Sequence, residues 1–198
     1  MPRLQALSEN DLPHAQDSFA SMRQVYGFVP ASVLTMYRRP GLAEAFGALF
    51  QAAMTENQLV PLELKWLVAH AASRSAACTY CQADTASNGA HSGLDPRKID
   101  AVWEFETSEV YSDAERAALR VAFASGVVPN AVDDEMFADL ARHFTEDRIL
   151  ELIGVLSVFG YLNRWNSTLQ TELDAVPLAF ATDHLVAQGW EAGEHGVS

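Results

Sequence analysis

The chain has 198 residues, of which 49% are hydrophobic, and a formal net charge of −13. This length fits one large domain or two small ones, with enough apolar residues for a core that needs no disulfides. The excess of 26 acidic over 13 basic residues argues against nucleic acid as a partner, because phosphate binding requires clustered Lys and Arg. The N-terminus has no apolar signal region, and the longest apolar stretch, residues 149–161, is too short to span a bilayer. We therefore expect a cytoplasmic protein that does not contact a membrane.

The pattern along the chain predicts an all-α fold. Alanine and leucine are abundant, β-branched runs are short, and no hairpin signal separates alternating segments. Helices are predicted, in chain order, from Pro40 to about Met54, from Pro61 to about Ser73, from Cys78 onward, from Asp95-Pro96 toward Trp103, after a capping box at Ser112, and after Thr145. We interpret residues 1–198 as one helical domain, with a dithiol-bearing half (1–110), a half without cysteines (111–185) and a flexible tail (186–198).

A weak internal repeat relates the two halves. The Gly-x-Val-Pro motif at residues 27–30 recurs at 126–129, and the apolar helix at 64–73 aligns with 148–157. In this alignment the second half keeps the apolar helix and has no cysteine. The sequence leaves open whether the fold consists of two degenerate copies of one helical repeat.

Cys78 and Cys81, the two cysteines of the chain, are separated by two residues. In a cytoplasmic protein this spacing is typical of a redox-active or metal-binding pair rather than a structural disulfide. If Cys78 lies in the first turn of a helix, the free N–H groups and the helix dipole favour its thiolate. Two alternatives stay open: a pair of inert buried thiols, and a zinc site with His91 and Asp84 as further ligands.

Three further segments accompany the pair: Gly27-Phe28-Val29-Pro30, Arg38-Arg39-Pro40-Gly41-Leu42, and residues 159–166 (FGYLNRWN). Together with C-x-Y-C, they resemble the carboxymuconolactone decarboxylase family, in particular its alkylhydroperoxidase D-like, peroxidase-related branch. The resemblance implies an all-helical fold, a homo-oligomer of two to six subunits, and thiol peroxidase activity. It also implies a hydroperoxide substrate, a thiol reductant or reducing partner protein, and no metal or bound organic cofactor.

The resemblance and the residues themselves assign the two thiols differently. By position in the family, Cys81 attacks the peroxide and becomes a sulfenic acid, which Cys78 resolves to a disulfide. By helix electrostatics, Cys78 is the better nucleophile, because the dipole acts most strongly on the first turn. The sequence does not decide between them.

The proton relay of the family is not matched. Where the resemblance implies a glutamate before the first cysteine and a histidine after the second, this chain has Trp66 and Thr85. The peroxidase-related branch often has a histidine three residues after the second cysteine, and here that residue is Asp84. A charged carboxylate at this position raises the pKa of a neighbouring thiol.

Four other residues are candidates for the relay. Glu63 and His70 lie on the helix before the cysteines, Glu151 lies in an apolar helix, and His91 follows Cys81 by ten residues. Each also has a structural interpretation: Glu63 as a helix N-terminal charge, Glu151 in an ion pair with Arg148 or Arg164, and the histidines as ordinary helix residues.

The sequence thus favours a hydroperoxide reductase that cycles through a Cys78–Cys81 disulfide. The alternatives are a general thiol–disulfide oxidoreductase and a non-catalytic, redox-sensing scaffold on the same fold. The polar cluster at residues 163–166 could shape the pocket, although a structural role is favoured.

Overall fold

A computed structural model describes residues 1–55 and 58–196, and within these ranges it contains α-helices, short 3-10 helices and no β-strand. The all-α prediction is therefore confirmed. The α-helices are α1 (Gln16–Tyr26), α2 (Ala31–Met36), α3 (Leu42–Met54), α4 (Leu62–Ser75), α5 (Thr79–His91), α6 (Pro96–Asp100), α7 (Asp113–Gly126), α8 (Asp134–His143), α9 (Glu146–Leu169) and α10 (Ala175–His184).

Helix α4 is the centre of the molecule. Every residue from 64 to 74 on this helix is buried, and it packs against α5, α7 and α9. A helix that is buried on all sides belongs to a core rather than to a surface layer. The next helix, α5, is almost as deeply buried and also contacts α9 and α10. The loop between α4 and α5, which contains the first cysteine, therefore lies inside the protein.

The local signals place most helix starts correctly. Ser112 and Glu115 form the predicted capping box of α7, each side chain bonding the backbone of the other residue. Helix α4 begins directly after Pro61, and α3 begins two residues after Pro40. Thr145 precedes α9 as predicted, without a side-chain capping bond.

The two halves differ in the segment that contains the cysteines in the first half and aligns with α9 in the second. After α4 the chain breaks at residues 76–78 before α5 starts, whereas α9 runs without interruption from Glu146 to Leu169. The positions that align with the two cysteines, Leu162 and Trp165, therefore lie inside a single long helix. At this point the second half does not repeat the two-helix unit of the first.

A buried ion pair joins α4 to α9. The side chain of Lys65 is fully buried, and its ammonium group forms an ion pair with Glu151. The same ammonium group donates hydrogen bonds to the carbonyl oxygens of Ala53 (3.0 Å) and Met54 (3.1 Å). The other carboxylate oxygen of Glu151 accepts the N–H groups of two residues of the α3–α4 loop, at 2.9 and 3.1 Å. The pair neutralises two buried charges, and the Lys65 ammonium also bonds the last carbonyl groups of α3. Glu151 therefore helps to hold α9, α4 and the α3–α4 loop together.

The C-terminal segment packs against the body of the protein. Trp190 and His195 are buried, and the N–H of Leu173 donates to the carbonyl of His195 at 2.9 Å. The prediction of a flexible tail from residue 186 does not match this packing through residue 196, because the aromatic ring of Trp190 supplies apolar area that the small residues around it lack. Residues 197 and 198 of that prediction lie outside the described ranges.

Of the helices in the described ranges, none has both the length and the hydropathy that crossing a bilayer requires.

The ion pair predicts the effect of Glu151→Gln. We expect a loss of about 3 kcal/mol in the free energy of unfolding, because the substitution leaves the Lys65 charge buried without a counter-charge. Urea denaturation measures this loss, and Glu146→Gln, an exposed position on the same helix, is the matched control. A Glu151→Gln protein as stable as the control would contradict a structural role for the pair.

Candidate active site

The tight connection between α4 and α5 positions the first cysteine. Ala77 adopts a positive φ of 55°, and the N–H of Cys78 donates to the carbonyl of Ser73 at 3.1 Å. A left-handed conformation is unfavourable for a residue with a side chain, by about 1 kcal/mol, and such outliers cluster at functional sites. The turn leaves Cys78 as the N-cap residue of α5, close to the predicted place in the first turn.

The two cysteines are reduced, buried and in contact. The sulfur of Cys78 accepts the backbone N–H of Cys81 at 3.4 Å, as a serine or aspartate would at a helix N-cap. The exposed fraction is 0% for Cys78 and 1% for Cys81, so solvent and reagents do not reach either thiol directly. A chemical role therefore requires a neighbouring segment to move.

The surroundings make the two thiols unequal. A hydrogen bond with the thiol of Cys81 lowers the pKa of Cys78, and the hydroxyl of Ser167 and the N–H groups of Tyr80 and Cys81 act in the same direction against the effect of burial. Burial raises the pKa of Cys81 well above its ordinary value, and the neighbouring Cys78 thiolate raises it further. The thiolate is the nucleophilic form, so Cys78 is the better-prepared attacking thiol.

A histidine lies behind the pair without touching the sulfurs. The hydroxyl of Thr85 donates to the carbonyl of Cys81 at 2.6 Å and lies 3.0 Å from His70 Nδ1. This pattern requires Nδ1 of His70 to carry the proton. Burial lowers the pKa of His70 to about 3, so the ring is neutral. His70 supports the backbone of Cys81 and does not contact either sulfur.

A pair of carboxyl groups lies on the other side of the dithiol. Burial and the charge of Asp174 raise the pKa of Asp84 to about 7, with a smaller contribution from the Cys78 thiolate. Burial raises the pKa of Asp174 to about 6, and this group accepts the hydroxyl of Tyr80 at 2.8 Å. Near neutral pH, Asp84 can therefore be protonated and can donate a proton beside the thiols.

An open pocket of about 350 Å³ reaches Asp174, one of these two carboxyl groups, from the surface. Asp174 forms part of its wall, together with Ala31, Thr35 and the N-terminal residues 2 and 4–6. Asp174 also accepts the hydroxyl of Tyr80, which lies between the two cysteines in the sequence. The Asp174 side chain therefore connects the pocket to residues 78–81, which we call the dithiol turn.

The C-terminal segment covers the dithiol turn from another direction. The indole N–H of Trp190 donates to the carbonyl of Thr79 at 3.0 Å, and the hydroxyl of Thr79 donates to the carbonyl of Ala192 at 3.3 Å. The ring of His195 lies 5.9 Å from that of Tyr80. These contacts bind residues 190–195, which we call the C-terminal cover, to the two residues that lie between the cysteines in the sequence.

The remaining predicted site residues lie elsewhere. Glu63 is exposed and lies beside Gly93, at the far end of α5 from the cysteines. His91 is exposed about 15 Å along α5 from Cys81, from a rise of 1.5 Å per residue. Glu151 is about 22 Å along α9 from Asn166, whose side chain contacts Cys81. Of the seven candidate residues, the structure brings together Cys78, Cys81 and Asp84, and the Thr85 hydroxyl lies between His70 and the backbone of Cys81.

The aromatic residues divide between core and surface. Trp66, at the relay-glutamate position of the resembling family, is buried and packs edge-on against Phe159 at 5.9 Å. Trp103 is 54% exposed, and its ring lies 4.9 Å from the guanidinium carbon of Arg74. Neither has a place beside the thiols.

Sequence reasoning missed Asp174, Tyr80 and the C-terminal cover. Tyr80 lies between the cysteines in sequence and could have been included on that ground. Asp174 is 94 residues away from its hydroxyl partner, and no local pattern points to it. Within residues 1–55 and 58–196, no three His, Cys, Asp or Glu side chains lie close enough together to hold a metal ion.

Comparisons with known proteins find similar sequences and similar folds. The sequence model of the carboxymuconolactone decarboxylase family matches residues 40–124. A cysteine-to-alanine variant of the debrominase Bmp8, solved in complex with 2,3,4-tribromopyrrole, is 36% identical. The match covers 90% of this chain and 95% of that one, with a TM-score of 0.84.

Two further relatives are more distant. An uncharacterized peroxidase-related protein with an alkylhydroperoxidase AhpD core, from Ralstonia eutropha JMP134, is 21% identical over 90% of this chain and 95% of its own, with a TM-score of 0.78, and shares the fold. The uncharacterized protein YnjA of Escherichia coli (strain K12) is 30% identical over 116 residues, 58% of this chain and 64% of its own length.

The C-terminal cover predicts the effect of Trp190→Ala. We expect the native thiols to react several-fold faster with Ellman's reagent, because the substitution removes the bond to Thr79 and the ring that excludes solvent. The control is Val186→Ala, at a position 52% exposed four residues before Trp190. Circular dichroism checks that both variants are folded. Equal rates in the wild type and both variants would mean that reagents reach the thiols by a different route.

Proposed function

Because the chain belongs to the carboxymuconolactone decarboxylase family, we propose that it is a dithiol-dependent reductase. Cys78 and Cys81 pass two electrons to a small organic substrate and close to a disulfide. The observation that carries this proposal is the contact between two thiols whose pKa values are shifted in opposite directions at the N-terminus of α5. An exogenous thiol reductant or a reducing partner protein then reopens the disulfide.

A halogenated aromatic compound has the firmest support as the substrate. The debrominase Bmp8 is 36% identical over most of both chains, whereas the peroxidase-related relative, at 21%, shares the fold alone. The side chains at the relay positions of the resembling peroxidases, Trp66 and Thr85, cannot act as acid or base here. An acid close to the thiols, Asp84, suits a reaction in which carbon must gain a proton.

The reaction balances with two thiols and no further reagent. The Cys78 thiolate attacks the bromine, so that an S–Br bond forms, the C–Br bond breaks, and the carbon takes its proton from Asp84. The Cys81 thiolate then attacks the Cys78 sulfur, forms the S–S bond and releases bromide. In sum, one aryl bromide and two thiols give the dehalogenated ring, bromide, a proton and the disulfide.

Hydroperoxide reduction is the second candidate, supported by the peroxidase-related relatives and by the same pair of thiols. The Cys78 thiolate would attack the terminal oxygen, break the O–O bond and form a sulfenic acid, while Asp84 protonates the departing alkoxide. Cys81 would then displace water to give the same disulfide.

The test is to mix the reduced protein anaerobically with 2,3,4-tribromopyrrole, cumene hydroperoxide or hydrogen peroxide, and to count thiols lost and bromide released. We expect one bromide per two thiols from the bromopyrrole, no reaction in Cys78→Ser, and no disulfide in Cys81→Ser. Fast thiol loss with cumene hydroperoxide alone would favour the peroxidase. Reaction no faster than with free glutathione in every case would contradict the reductase.

The pKa of Asp84 predicts the pH dependence of the rate. A general acid acts in its protonated form, which is present below a pKa of about 7 and is lost as pH rises through it. We expect the rate of wild-type turnover to fall above about pH 7, and Asp84→Asn to lose about a hundredfold at neutral pH together with this alkaline limb.

The matched control is Asp183→Asn, an exposed acidic residue on α10, which should keep the wild-type profile. An Asp84→Asn enzyme with an unchanged alkaline limb would show that another group supplies the proton.

A further inference from the structure

A buried amide contacts the second thiol. Asn166 lies on α9 with an exposed fraction of 0%, and its side-chain Nδ2 donates a hydrogen bond to the sulfur of Cys81 at 3.4 Å. The next residue, Ser167, provides a hydroxyl to Cys78. Two consecutive residues of one helix therefore bond the two thiols, one each, although they lie 85 or more residues away from them along the chain.

We propose that Asn166 is a catalytic residue of the disulfide-forming step, in which its amide N–H stabilises the thiolate of Cys81 as this thiolate attacks the Cys78 sulfur. This inference rests on the proposed dithiol chemistry and assigns a residue to its second half. The S–S bond forms between Cys81 and Cys78, and the bond from Cys78 to the transferred group, bromide or hydroxide, breaks.

The electrostatics of the site make such a donor necessary. Burial and the charge of Asp84, which has given up its proton by this step, both disfavour a negative charge on Cys81. The bond from Asn166 acts in the opposite direction and lowers the pKa of Cys81. A hydrogen bond to an ionised acceptor is about twice as strong as one to a neutral acceptor, so the amide bond strengthens when Cys81 ionises.

The choice of an amide also fits the environment. An asparagine donates a hydrogen bond but neither gains nor loses a proton in the physiological range. It therefore supports the Cys81 thiolate without competing with Asp84 for the proton that the substrate needs. The amide oxygen of Asn166 has no hydrogen-bond partner among the described residues, so the contact with sulfur is the one polar bond that its side chain makes there.

The test compares Asn166→Leu with the wild type. Leucine has a similar volume and removes both the donor and the buried oxygen that has no partner, so the stability of the fold should be largely preserved. The control is Asn163→Leu, one turn earlier on α9, where a buried asparagine also has an oxygen without a partner in the described ranges but makes no hydrogen bond to either thiol there.

The first readout is kinetic, with hydrogen peroxide as the probe oxidant. In Asn166→Leu we expect Cys78 to oxidise at the wild-type rate, disulfide formation to slow about tenfold, and a sulfenic acid to accumulate that dimedone traps. Tenfold corresponds to one pKa unit on a thiol that reacts as its thiolate. The slowing of disulfide formation should be largest well below the pKa of Cys81 and should vanish at high pH, where Cys81 is ionised in both proteins.

The second readout does not depend on turnover. In a Cys78→Ser background, thiolate absorbance at 240 nm reports the pKa of Cys81, and adding Asn166→Leu should raise it while Asn163→Leu leaves it unchanged. If Asn166→Leu leaves the Cys81 pKa unchanged, or forms the disulfide at the wild-type rate, the role of Asn166 is overturned while the proposed function stands. A wild-type protein that forms no disulfide with any oxidant would instead overturn the proposed function.

Discussion

The N-terminus of α5 is the feature on which the rest of the site depends. Its cap is a sulfur atom, because Cys78 accepts the N–H of Cys81 where most helices use an oxygen. This geometry brings the second sulfur next to the first within one turn and makes the two thiols electrostatically unequal. A sulfur cap is a weak structural choice, which is consistent with a site kept for its chemistry rather than for helix stability.

The fold explains how this cap can be buried. Helix α4 is surrounded on all sides, so the turn that leaves it must also lie inside the protein, and α9, α10 and the C-terminal cover close over it. Burial raises the pKa of Asp84 into the neutral range, where the same group on the surface would be ionised. The enclosure that limits access to the thiols thus also provides the acid.

Much of the fold follows from local sequence signals. The all-α class, the capping box at Ser112 and the position of Cys78 at a helix start each depend on a few neighbouring residues, and local patterns record such features well. The flexible tail was predicted from its small, polar composition, and the prediction missed that Trp190 could anchor the segment. Glu151 was considered for catalysis because a carboxylate in an apolar helix is unusual, but its partner, Lys65, lies on another helix and left no local sign.

The site was predictable only in part, because contacts between segments that are distant along the chain leave no local sequence signal. The thiols and Asp84 share one helix, so their proximity follows from the spacing of residues along it. Asp174 and Asn166 reach that helix from elements 85 or more residues away, and a single sequence carries no record of such contacts. Asn166 could be noticed as part of a polar cluster, but its contact with a thiol could not.

The most direct test of the unequal thiols is the pH dependence of alkylation at each cysteine in the reduced wild-type protein, measured by mass spectrometry of the modified peptides. We expect Cys78 to be alkylated at a pH below the ordinary range of a cysteine and Cys81 to react only at higher pH. Reversed order would make Cys81 the attacking thiol, as the family resemblance implies. Equal, unshifted titration of both thiols would contradict the proposed chemistry of the pair.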